Sequence, residues 1–186
     1  MLSEAPVYRA YLSWARARTL PEKTRERQMA EMSLRACWHA LFDPCPQLLQ
    51  GLCPPDGADI FERFLAWAEE TRCSMGWSLH LHLLGWLLRD AKYGALVTEE
   101  MHIEALAAAA SRWTIYDKSL SGGIVIGCQR LRERVVVGWK CHTPGEVRAV
   151  SLLRLKPPPR LDDFLASFTV TGFQLEALGP WAPIPL

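Results

Sequence analysis

The sequence lacks most of the features that place a protein quickly. Its first twenty residues hold no apolar run of seven or more and carry Glu4, Arg9, Arg16 and Arg18, which argues against a secretory leader. The most apolar stretch, Trp77 to Leu88, is broken by His80 and His82 and falls well short of the roughly 20 residues a membrane span needs. Six cysteines include no CxxC pair, and without a leader they read as reduced thiols of an intracellular protein, cytoplasmic or nuclear. No GxSxG, HExxH, GxxxxGK[ST] or EF-hand pattern is present, and Ser121-Gly122-Gly123 precedes a strand, the wrong order for a phosphate cradle. Charge of one sign is missing too: 21 basic residues face 20 acidic ones.

What is present is the composition of one globular domain. The 186 residues are 49% hydrophobic, enough for a real core without staples, and the near-zero net charge excludes disorder. Eight tryptophans are the oddity.

The first 113 residues read as helices. Ser3 caps one that runs to about Ala17, and Thr19 with Pro21 marks a stop and a restart. Ala30, Leu34, Cys37, Trp38 and Leu41 then form a helical stripe that ends at Asp43-Pro44. Residues 43–59 hold four prolines and read as a loop with one helical turn. Ile60, Phe61, Phe64, Trp67 and Ala68 give another amphipathic helix. Trp77 to Asp90 is apolar nearly all round, as a central buried helix is. Thr98, followed by Glu99 and Glu100, opens the last one, through Leu106 to Trp113.

After Trp113 the periodicity changes. Gly122–Cys128, Arg134–Cys141, Val147–Leu153 and Phe168–Leu175 are rich in β-branched and aromatic residues and are separated by turn signals. Helices followed by strands predict an α+β fold: a helical part over 1–113, a four-stranded antiparallel meander over 114–178, and a proline-rich tail over 179–186, all in a single domain. A two-residue turn at Pro144-Gly145 would set Trp139 opposite Val150 and Val137 opposite Leu152 on the core face. Arg132, Arg134 and Lys140 would then share the other face. A bulge at Gly172 would keep one face of the last strand buried.

Net charge hides an asymmetry along the chain: −3 over residues 1–111, +7 over 112–160 and −3 over 161–186. A basic sheet is the footprint of a phosphate-bearing partner. Arg130, Arg132, Arg134, Lys140, Arg154 and Lys156 are the candidate nucleic-acid contacts. Trp113 and Trp181 are candidates for binding a protein partner. In the tail, three prolines with Trp181 and Ile184 cannot continue a strand or helix, so the tail must pack back or dock.

Chemistry-bearing clusters are thin. Cys37, His39, Cys45 and Cys53 fall within seventeen residues as weak zinc ligands of poor spacing, and no metal or other cofactor is assigned. Cys141 and His142 are neighbours that a strand would turn to opposite faces, so a thiol enzyme using Cys141 or Cys128 would need His39, His80, His82 or His102 from elsewhere. No catalytic residue is assigned. The expectation is a non-enzymatic intracellular assembly or adaptor subunit of a nucleoprotein complex, in a viral or mobile-element setting, with a protein partner or a second copy and nucleic acid on its basic sheet. A protein-only adaptor with an acidic partner, and a small cysteine enzyme, are the alternatives.

Overall fold

The computed structural model describes residues 13–52, 57–73, 76–118, 122–140, 149–172, 175 and 178–185. The contacts gather into two compact units, Met1–Ser74 and Met75–Leu186. The division does not follow the change from helix to strand, because two helices belong with the sheet.

The first unit contains helices α1 (Trp14–Thr19), α2 (Arg25–Phe42), α3 (Pro46–Leu52) and α4 (Gly57–Glu70). The restart after α1 comes later than Pro21 suggests. Thr24 is the cap, its Oγ1 accepting the Arg27 N–H at 3.3 Å, and this takes up one of the orphan donors every helix start carries. On α2 the predicted stripe is buried at Ala30, Leu34 and Leu41 and continues to Phe42. Trp38 packs against Phe42 and Phe61 with ring centroids 4.5 and 5.3 Å apart, and Ile60, Phe64 and Leu65 of α4 are also buried. The expected loop over 43–59 holds the seven-residue α3. The helix predicted from Ser3 falls largely outside the described residues.

The second unit opens with α5 (Leu79–Arg89) and α6 (Glu99–Tyr116). In α5 every residue from Leu79 to Leu87 except His82 is buried, as the apolar run from Trp77 predicts. Thr98 caps α6 as its sequence predicts, accepting from the Met101 N–H at 3.3 Å.

The strands are β1 (Gly123–Cys128), β2 (Arg134–Trp139), β3 (Ala149–Arg154), β4 (Leu165–Val170) and the two-residue β5 (Ala182–Pro183), in the order β3-β2-β1-β4-β5, all antiparallel. The α+β class holds. The strand count is five rather than four, and the meander stops at β3, because β4 returns to pair with β1. Gly172, with φ at +81°, lies beyond the end of β4 instead of forming a bulge inside it.

The sheet is apolar on both faces. Val125, Val135, Val137 and Phe168 form the core of one, with Trp139, Leu153, Leu175 and Trp181 packed against them. Ile124, Ile126 and Val136 alternate with these and belong to the other, on which α6 lies. The approach there is close: a Cβ on Gly138 would stand 2.8 Å from the Ala110 carbonyl oxygen.

Candidate functional site

The register of β2 against β3 differs by one residue from the expected pairing. Trp139 sits opposite Ala149, Val137 opposite Ser151 and Arg134 opposite Arg154. A one-residue slip exchanges faces. Val150, Leu152 and Arg154 therefore leave the Trp139 face, whereas Arg134 and Lys140 stay on the opposite face as expected; that face is covered by α6 instead of solvent.

There they are held at its two ends. Arg134 pairs with Glu99 in the first turn of α6. Lys140, 6% exposed, pairs with the Asp117 carboxylate, donates to the Asp117 carbonyl at 2.8 Å and lies 5.0 Å above the Trp113 ring. Arg154 pairs with Glu133, whose carboxyl it holds below the usual range by hydrogen bonding. Three of the six candidate phosphate contacts are thus engaged inside the unit. Arg130, Arg132 and Lys156 are exposed, Arg132 at a left-handed φ of +50°.

The tryptophans turn inward as well. None of the eight is exposed. Trp113 is buried under Lys140, and Trp181 meets Phe168 edge-on at 4.8 Å, so both outward candidates do structural work.

The thiols and imidazoles do not assemble a reactive centre among the described residues. Cys128 is 1% exposed and burial pushes its thiol up, the opposite of an activated nucleophile. Cys141, His142 and Cys53 lie outside the described residues. Cys37 is half-buried, Cys45 is buried, and His39 is exposed with its Nδ1 3.2 Å from Asp43. Among the described residues no three His, Cys, Asp or Glu side chains gather as a metal site would require. Ser78, the residue before α5, has its Oγ 3.1 Å from His82 Nε2, and burial lowers the His82 pKa. His102 is 2% exposed, with Nδ1 2.7 Å from the Thr98 carbonyl oxygen.

In the first unit a cleft of about 260 Å³ is lined by Ser13, Arg16, Asp59, Glu62, Arg63 and Glu69. Its charges answer one another: Arg16 with Glu69 at 3.7 Å, Arg63 with Asp59 at 3.9 Å, and Glu62 accepting the Ala15 N–H at 3.3 Å.

Among the described residues the open feature is the outer edge of β3. The Leu155 N–H donates to the Glu133 carbonyl at 2.7 Å, and residues of an antiparallel strand alternate between facing the partner and facing away. By that alternation Ala149, Ser151 and Leu153 bond to β2, while Val150, Leu152 and Arg154 turn their N–H and C=O groups outward. The side chains beside those groups are apolar and accessible: Val150 is 38% exposed and Leu152 44%. The sequence carried a hint of this in the apolar run of β3, but read as core it pointed the wrong way.

The family model for methanobactin biosynthesis cassette protein MbnC-like matches residues 17–185. The chain belongs to the MbnC-like family. A comparison with curated proteins found no match. Membership overturns the nucleoprotein reading and its viral or mobile-element setting, because the family's work is in a biosynthetic cassette. The basic stretch that suggested nucleic acid spends three of its charges on Glu99, Asp117 and Glu133. No helix of the described residues is long and apolar enough to cross a membrane.

Proposed function

We propose that this chain serves methanobactin biosynthesis as a binding subunit, holding an extended segment of another polypeptide of the cassette along β3 so that a separate enzyme can act. The observation that carries the reading is the open β3 edge: three outward-facing backbone positions flanked by the accessible side chains of Val150 and Leu152. Strand addition uses such an edge, with main-chain hydrogen bonds for affinity and alternate side chains for selection. The surroundings suit an added strand. Folded proteins normally blunt a long exposed edge with charge or proline, and β3 offers only Arg154, itself paired with Glu133. Membership of a biosynthetic family together with the buried, unactivated Cys128 favours a binding role over catalysis by this chain.

Leu152→Pro tests it. Proline removes an N–H that faces away from β2, so the ladder inside the sheet is kept. Co-expression with the other cassette proteins, followed by purification on this chain, is expected to recover a partner with the native chain and at least ten-fold less with the variant. Equal recovery by a folded variant would reject the β3 edge as the contact.

A further inference from the structure

The two edges of the sheet are treated oppositely, and the difference lies in where prolines fall. The Gln129 N–H bonds to the Phe164 carbonyl at 3.0 Å, so Ala166, Phe168 and Val170 face β1, while Leu165 and Ser167 turn their backbone groups toward β5. On β5 the Ile184 N–H donates to the Leu165 carbonyl at 3.0 Å. Ala182, opposite Ser167, and Ile184 therefore face β4, and Pro183, opposite Ala166, faces away. Pro185 falls on the same outward phase. From Ala182 to Pro185 the two inward positions, Ala182 and Ile184, carry an N–H, and the two outward ones, Pro183 and Pro185, lack one.

The same segment is anchored across the face of the sheet. Trp181 lies edge-on to Phe168 and fills the space over Gly127, where an added Cβ would stand 3.1 Å from the indole. Ile184 is 8% exposed. Leu178, by contrast, is 41% exposed and marks where the segment leaves solvent.

We propose that Leu178–Pro185 is a cap that closes the β4 edge against a second copy of this chain. Its Ala182 and Ile184 meet the outward groups of Ser167 and Leu165, and Pro183 and Pro185 present no donor on the outer side, so strand pairing is hindered on this edge and left to β3. Without the cap, β4 offers Leu165 and Ser167 beside an uncovered Phe168. A second copy brings the same strand in the antiparallel sense, since a two-fold axis makes such a contact self-complementary.

Two variants test this by sedimentation velocity over a concentration series, with amide exchange read at Leu165 and Ser167. A chain ended at Leu178 is expected to double its mass as concentration rises, with both amides protected in the dimer and exchanging on dilution. The full chain with Pro183→Ala and Pro185→Ala keeps Trp181, Ala182 and Ile184 but regains outward donors. It is expected to associate where the native chain does not, and it decides the matter if the shortened chain fails to fold. A folded shortened chain that stays monomeric overturns the proposal, as does association that leaves those amides unprotected, or a monomeric double variant. Adding Leu152→Pro on β3 is expected to change none of this, so the cap and the proposed β3 contact stand or fall separately.

Discussion

Lys140 is seated on Asp117, the residue that ends α6: its ammonium donates to that residue's carbonyl at 2.8 Å and pairs with its carboxylate. The pair ties the end of β2 to the end of α6, and Arg134 with Glu99 does the same at the other end. Because Lys140 is buried, its pair is the stronger of the two, whereas Arg134 is 38% exposed in its side chain and screened by solvent. The carboxylate left behind, Asp117, is itself 33% exposed and keeps part of its hydration, so Lys140→Ala is expected to cost about 1–2 kcal/mol in urea unfolding. Arg134→Ala should cost under about 1 kcal/mol. A Lys140 variant within a few tenths of wild type would show that the contact is not maintained in solution.

Gly138 sets how closely α6 approaches the sheet. Its missing Cβ would stand 2.8 Å from a backbone oxygen of Ala110, which cannot rotate away. Gly138→Val is expected to destabilise the second unit by about 2–3 kcal/mol, and Ala110→Gly should not rescue it, because the obstructing atom belongs to the main chain. Rescue would place the clash at the Ala110 methyl instead.

Thr98 is a plain helix cap with its hydroxyl 3.3 Å from the Met101 N. Thr98→Ala should lose about 1 kcal/mol and Thr98→Ser or Thr98→Asp much less, measured by the urea midpoint.

Burial lowers the pKa of His102, and of His82, below the ordinary 6.5. The unfolded chain then takes up these protons first as pH falls. The stability they contribute is complete above about pH 6.5 and is lost below it, toward the folded values. Urea midpoints from pH 7.5 to 5 should therefore fall, and fall less in a His82→Gln, His102→Gln double variant. An identical slope in the variant would remove these imidazoles from the account.

Much of the helical half was legible because caps and stripes are local: Thr98, the Ala30–Leu34–Leu41 stripe and the all-apolar α5 are each fixed by residues within a few turns. The β2–β3 register was not. Alternation reveals a face only when the other face is wet, and Val135, Val136 and Val137 are all buried, so β2 carries no phase to read. The slip exchanges the faces of Val150, Leu152 and Arg154; Arg134 and Lys140 keep the face that alternation gives them, and what the sequence does not reveal is that α6 covers it and pairs both. β4 was placed too late because Thr169 and Thr171 extend its alternation past the point where Gly172 turns the chain. The proline-rich tail is expected either to pack back or to dock on a partner, and it packs back against Phe168 and β4. That it also forms a strand was hidden by its prolines, whose outward phase only the β4 partner defines. The β3 edge escaped notice for a related reason: an open edge belongs to the order of strands, and β4 pairing with β1 is what leaves β3 outermost.

The proposed role is tested most directly by amide exchange, residue by residue along β3, with and without the polypeptide that co-purifies from the cassette. Strand addition predicts an alternating pattern: new protection at Val150, Leu152 and Arg154, whose N–H groups face outward, and little change at Ser151 and Leu153, which already bond to β2. Protection confined to other strands or to the helices, with Val150, Leu152 and Arg154 exchanging as fast as before, would contradict it.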